Sequence, residues 1–229
     1  GWFGFNAGSA LGANPGAALA FANTLVAPMA TLVVWTLLDL QRTGKATAVG
    51  AATAIVVGLV AITPGAGLVS PFSALVLGAL AAPPSYFGLL FRARTRLDDS
   101  LDVVAAHGLG GAAGALLTGV FAEKSWGSPA DGALSGHFAQ VGLQAAAILI
   151  VAAYSAVASW ALLRGVALFI PLRVTRQEEG VGLDVSQHGE EAYVRGEGAV
   201  LILRDVLESR AAVFDECVTA GDSLAGGRS

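Results

Sequence analysis

His107 stands in a stretch, Val103 to Ala122, where every other residue except Thr118 is apolar or small. An imidazole can donate or accept a hydrogen bond, and it changes charge near neutral pH. Residues 103–122 as a helix would rise about 30 Å, the hydrocarbon thickness of a bilayer. Counted from Asp99, His107 lies roughly 12 Å along that axis, close to mid-membrane. A ring at that depth either is satisfied by a backbone carbonyl or faces a partner or a wet path, and an intramembrane titratable group is a functional candidate. Gly110 and Gly114 form a G-x-x-x-G pair beside it, with Gly108, Gly111 and Gly119 removing more bulk. Such small residues let helix backbones approach closely in lipid, or they thin the wall of a pore next to His107. Asp102 lies five residues before His107, about 140° around a helix, so the two make no same-face dyad. Asp98, Asp99 and Asp102 are expected to cap the helix and complement its positive N-terminal end.

The elements that must position these residues belong to a membrane protein. The chain is 55% hydrophobic and 13% charged, with 30 glycines and a mean hydropathy of +0.67, values far from those of a water-soluble domain. The formal net charge of −4 carries little information, because charge is confined to short loops and the last quarter. A single cysteine, Cys217, excludes an intramolecular disulfide framework. The chain opens Gly-Trp-Phe-Gly-Phe rather than with Met, and the expectation is that it begins inside a larger protein.

Residues 1–11 read as the end of a membrane helix, broken at Asn14-Pro15-Gly16. Charge-free runs follow at Ala17–Leu38, Ala46–Ile62 and Leu68–Phe91, separated by the polar hairpin from Asp39 to Lys45 and by Thr63-Pro64-Gly65. Pro28 is tolerated inside a bundle, and Pro83-Pro84 predicts a kink or an early exit. After the histidine helix, a polar loop carries Trp126 as an interfacial anchor, and Phe138–Leu163 is the last span. The fold class is all-α: a polytopic transmembrane helical bundle over 1–171, of about five helices, with a polar tail over 172–229. Val200–Val218 has a mixed helical pattern, expected to form a surface helix packing on other subunits. Arg42, Lys45, Arg92, Arg94, Arg96, Arg164, Arg173 and Arg176 fall on one side of the membrane and only Lys124 on the other. The positive-inside rule therefore places the tail in the cytoplasm.

Several motifs together resemble the Amt branch of the Amt/Mep/Rh family of ammonium transporters. They are Gly-Trp-Phe-Gly-Phe-Asn-Ala-Gly-Ser-Ala (1–10), Phe-Ala-Asn-Thr (21–24) and Gly-Leu-Val-Ala-Ile-Thr-Pro-Gly-Ala-Gly (58–67). Asp-Asp-Ser-Leu-Asp-Val-Val-Ala-Ala-His-Gly-Leu-Gly-Gly (98–111), Leu-Arg-Val (172–174) and Gly-Leu-Asp-Val-Ser-Gln-His-Gly-Glu-Glu-Ala-Tyr (182–193) complete the set. The resemblance implies the C-terminal half of an eleven-helix transporter in the cell membrane. It makes His107 one of two pore histidines, Phe5 part of a stacked aromatic gate, and Ser9 a hydroxyl holding ammonium at the outer mouth. It assigns Asp184 and His188 to a cytoplasmic segment that communicates between subunits of a homotrimer, adjoining a docking site for PII-type signalling proteins. The expected ligands are ammonium and ammonia, with no cofactor, no metal and no nucleic acid.

A dry apolar pore rejects both ammonium and potassium, which are similar in size, so discrimination requires removing the proton, since neutral ammonia crosses apolar space cheaply. That chemistry is transport, not enzymatic catalysis. Two alternatives remain: an ammonium sensor signalling through its tail, and a non-conducting fragment lacking the N-terminal half. His137, at a helix start, is expected to be interfacial, and His188 to serve a turn or interface. The basic-residue asymmetry makes one direct prediction. A C-terminal reporter that works only in the cytoplasm should be active, and one that works only outside should be silent; the reverse pattern overturns the topology.

Overall fold

The structure is a computed structural model that describes residues 1–190 and Ala192. The expected helix at Val200–Val218, and Cys217, lie outside the described residues. The chain divides into two units, Gly1–Ser155 and Ala156–Ser229.

In the first unit, the helices starting at Pro15, Ala48 and Pro71 begin where local chemistry dictates. The short α1 (Trp2–Gly8) precedes α2 (Pro15–Thr43), whose first turn is capped by Asn14: its Oδ1 accepts the Ala17 N–H at 2.9 Å. Pro15 sits where a missing N–H costs nothing, and Gly44, at φ +71°, ends the helix in the left-handed conformation. Thr47 caps α3 (Ala48–Ile62) and Ser70 caps α4 (Pro71–Arg92), each accepting a backbone N–H three residues on. Helix α4 does not exit at Pro83-Pro84 but continues to Arg92. A π-helical turn, Val104–Leu109, leads into α5 (Gly110–Phe121), and α6 covers Ala139–Val166. Among the described residues, four helical stretches are long and apolar enough to cross a membrane: α2, α4, Val104–Phe121 and α6. Helix α3 has 15 residues and is shorter. The expected starts and ends of these apolar runs lie within a few residues of the observed helices.

Helix α2 is the hub, packing on α1, α3 and α4, while α5 packs on α3 and α4. The core between them is mostly small: Ala20, Ala27, Ala61, Ala74 and Ala81 pack with Ile62, Val69 and Leu77. Lipid tails are as apolar as leucine, so helices in a bilayer gain little from burying large side chains and associate by close packing instead. Three glycines show how close. A Cβ on Gly78 of α4 would overlap the Ala27 backbone of α2, one on Gly58 of α3 would overlap Pro28, and one on Gly114 of α5 would overlap Ala61 of α3. Thr31 Oγ1 bonds the Gly78 carbonyl at 2.8 Å, closing the α2–α4 contact with a polar tie. Asn23, fully buried on α2, donates through Nδ2 to the carbonyls of Ala66 (2.8 Å) and Val69 (2.9 Å), pinning the turn between α3 and α4. Trp35 meets Tyr86 edge-on at 5.0 Å, and the Tyr86 hydroxyl donates to Asp39 at 3.0 Å. The strand-free architecture agrees with the all-α expectation among the described residues.

In the second unit, Thr175 and Glu178 form a capping box on α7 (Arg176–Val181), and a second π-helical turn follows at Asp184–His188.

Substitutions at the close approaches should be costly. Gly114→Val must push α5 off the α3 backbone, and we expect a loss at or above the ~3 kcal/mol upper end of ordinary overpacking. Gly108→Ala, whose nearest neighbour would be Val104 Cγ1 at 4.0 Å, should melt close to wild type. Thermal unfolding of the detergent-solubilised protein checks both.

Candidate functional site

The histidine helix is held at its entrance by two carboxylates with different tasks. Asp99 accepts the N–H groups of Val103 and Val104, both at 2.9 Å, so it is the cap that sequence reasoning expected. Asp102 is not. Its backbone sits at φ +54°, and its side chain makes an ion pair with Arg92 at the end of α4. The physical reason is the chain reversal just before Val103: with Asp99 occupying the first free N–H groups, Asp102 is turned toward α4, where a guanidinium needs a partner. Arg92 Nε is buried without a hydrogen bond, so this pair also neutralises a partly desolvated cation.

The π-helical turn over Val104–Leu109 widens the helix at His107, a feature frequent at functional sites. Ala105, Ala106 and Gly110 are buried, whereas His107 and Gly108 are exposed. Gly110 and Gly114 serve the helix contact: Gly110 lies against Ser85 and Val57, and Gly114 against Ala61. Gly108 belongs to the open face. Among the described residues, no backbone carbonyl accepts a hydrogen bond from His107.

On that face, the His107 ring stacks against the Trp2 indole, with centroids 6.4 Å apart and planes 21° from parallel, within the range of offset aromatic pairs. Trp2 was not singled out from sequence, because a contact spanning 105 positions leaves no mark in local spacing. Trp2, Phe5 and Ser9 recur at i, i+3 and i+7, which places them on one stripe of α1. The stripe thus runs from the histidine toward the α1 C-terminus. Phe5 is 65% exposed. Ser9 Oγ donates to the Phe5 carbonyl at 3.0 Å, so the hydroxyl proton is engaged within its own helix and a lone pair faces outward. Ser9 lines a cavity of about 700 Å³ together with Asn6, Thr63, Ser125 and Trp126. None of the described residues that line it is charged. Asn6 is itself fixed by donating to Thr24 Oγ1 at 2.9 Å.

In the second unit, Asp184 and His188 lie on the same π-helical turn, with Val185 buried between them. Asp184 Oδ2 accepts the Ala192 N–H at 3.0 Å, and Gln187 donates to Glu178 Oε1 at 3.0 Å. Arg173 pairs with Glu179 at 2.7 Å. Bonds from the Thr175 backbone and hydroxyl hold the Glu178 carboxyl below its ordinary pKa. Among the described residues, no group of three His, Cys, Asp or Glu side chains could hold a metal ion.

The Asp99 carboxyl is likewise held below the ordinary aspartate pKa, first by the Val104 N–H and then by that of Val103. A lowered folded-state pKa stabilises above the unfolded value and is lost as pH falls through the folded one. Asp99→Ala should therefore lower the melting temperature at pH 7 and cost progressively less as the pH drops below the aspartate range, as melts of both proteins across that range would show.

Comparison with known proteins follows the same residues. Residues 1–193 match the profile of the Ammonium Transporter Family. The chain is 44% identical over 194 residues to an ammonium transporter of Aquifex aeolicus, covering 84% of this chain and 45% of that protein. It is 39% identical over 195 residues to an ammonium transporter of Bacillus subtilis, covering 84% and 48%. Among solved structures, Mep2 of Saccharomyces cerevisiae superposes with a TM-score of 0.69 at 35% identity, over 74% of this chain and 42% of that one. A structure described as a sensor Amt protein superposes with a TM-score of 0.72 at 31% identity, over 81% and 45%. The chain thus spans a little under half the length of these relatives, which are ammonium transporters or their structural kin rather than enzymes. The family match over most of the chain, the membrane-spanning helices and the shared fold make this polypeptide a multi-pass membrane protein of the Ammonium Transporter Family.

Proposed function

We propose that the chain forms one wall of a pore that takes ammonium at its outer mouth, removes a proton and conducts ammonia past His107. The observation that carries this reading is the exposed imidazole on the open face of a membrane-crossing helix, aligned with an aromatic and hydroxyl stripe on α1. A cation arriving at the uncharged cavity near Ser9 meets oxygen lone pairs and the face of an aromatic ring, which favour it before it loses its water. Deeper in, the path past Phe5 and His107 is apolar apart from the imidazole. Ammonium must break one N–H bond to enter, its proton staying outside or crossing by a separate route. The neutral ammonia then exchanges hydrogen bonds with a neutral ring able to donate at one nitrogen and accept at the other.

On this reading the protein sits in the cell membrane with residues from Arg173 onward in the cytoplasm, as the basic-residue asymmetry supports. Residues 1–171 form the membrane part and 172–229 the tail. A homotrimer with one pore per subunit, and a PII-type protein meeting the cytoplasmic face near Asp184 and His188, complete the proposal. The likeness to a sensor Amt protein favours one second reading, in which pore occupancy is signalled through the tail.

Methylammonium uptake by the full-length protein separates these possibilities. His107→Ala should cut uptake about tenfold or more, the effect of roughly 1.4 kcal/mol on the limiting barrier, or relax ammonium-over-potassium selectivity, with membrane assembly intact. Wild-type uptake and selectivity in the variant would remove His107 from the path. A wild-type protein that transports nothing yet changes tail accessibility on ammonium binding would favour the sensor.

A further inference from the structure

We propose that Thr63 is a positioning residue for His107, acting through Trp2; the functional part of this inference rests on the pore reading above. Trp2 carries two contacts at once. Its ring stacks on the imidazole, and its indole N–H donates to Thr63 Oγ1 at 2.8 Å. The Thr63 hydroxyl is itself locked, because it donates its only proton to the Leu59 carbonyl at 2.7 Å. That leaves a lone pair, and nothing else, to offer the indole. Rotating the hydroxyl would forfeit both bonds. The indole nitrogen, a donor with no acceptor capacity, strongly prefers to keep this partner in a low-dielectric site.

The result is a relay of fixed geometry from a turn to a ring. Thr63 directly follows α3 and belongs to the turn that Asn23 pins to α2 through the carbonyls of Ala66 and Val69. A rigid turn fixes Thr63, Thr63 fixes the indole plane, and the indole plane limits the tilt of the imidazole. His107 sits on a widened helical turn, where the stacked indole is a lateral restraint on its ring. Thr63 also lines the cavity shared with Ser9 and Asn6, so the residue that orients the ring borders the compartment from which a cation would enter.

Two measurements on the full-length protein test this. The first is methylammonium uptake by Thr63→Val, which removes the hydroxyl at nearly constant volume, Thr63→Ser, which keeps it, and Trp2→Phe, which keeps a ring but loses the N–H. Thr63→Val and Trp2→Phe should each lower uptake roughly fivefold, the scale of one lost hydrogen bond. The double variant should be no worse than either single one, because both remove the same tie. Thr63→Ser should transport as wild type.

The second measurement is the ring-proton resonance of His107 in histidine-labelled protein, assigned by its disappearance in His107→Gln. The indole ring current shifts that resonance, so Thr63→Val should move it and Thr63→Ser should not. A resonance unmoved by Thr63→Val overturns the proposal, as does a moved resonance with wild-type uptake, or single effects that multiply in the double variant. If the wild-type protein shows no uptake, the pore reading fails, and the resonance alone still decides whether Thr63 orients the ring.

Discussion

Everything in the first unit depends on how closely four helix backbones can approach one another. In water, helices are driven together by burying leucines and phenylalanines; in a bilayer that gain largely vanishes, and what remains is contact between backbones and a few polar ties. Gly78 against Ala27, Gly58 against Pro28 and Gly114 against Ala61 are points where backbone meets backbone. The large apolar residues are displaced outward by the same constraint. Phe21, Leu25, Met29, Val33 and Leu37 of α2 form an exposed stripe at intervals of four, a surface suited to lipid or to other apolar helices.

The histidine wall is a consequence of that packing. With Gly110 and Gly114 committed to α3 and α4, the opposite side of the same helix, carrying His107 and Gly108, is left open. Its entrance is fixed from two directions, by the Asp99 cap along the axis and by the Arg92–Asp102 pair across to α4. Trp2 supplies the lateral restraint. The imidazole is thereby held by contacts that themselves lie at the edges of a tightly packed body.

Much of this was legible in the sequence because membrane helices write themselves as uninterrupted apolar runs. The caps Thr47 and Ser70 were not read there, and Asn14 was read only as part of a break; their side-chain bonds to the first turns identify them. The close helix contact at Gly110 and Gly114 followed from the G-x-x-x-G spacing. Which way each glycine faced did not, since both a helix contact and a pore wall call for small residues; only the positions of Ala61 and Ser85 separate Gly110 and Gly114 from Gly108. At Pro83-Pro84 the helix runs on to Arg92 instead of exiting early, because proline's local preference for breaking a helix is overridden when neighbouring helices hold the segment in place. Asp102 misled because three aspartates in one turn look alike until the long-range partner, Arg92, is known. The Trp2–Thr63 tie links residues 61 positions apart, beyond the reach of any periodicity.

The central claim is that this chain builds one side of an ammonia path and that His107 lies on it. The chain matches a little under half of its relatives' length, and the face bearing His107 is open. Residues 1–229 should accordingly need a second wall to conduct. The direct measurement is the internal pH of liposomes after an ammonium pulse, with residues 1–229 reconstituted alone and then together with a polypeptide corresponding to the first half of a relative. The account predicts no specific signal from the chain alone and a His107-dependent alkalinisation from the pair. A His107-dependent alkalinisation from residues 1–229 alone would contradict it.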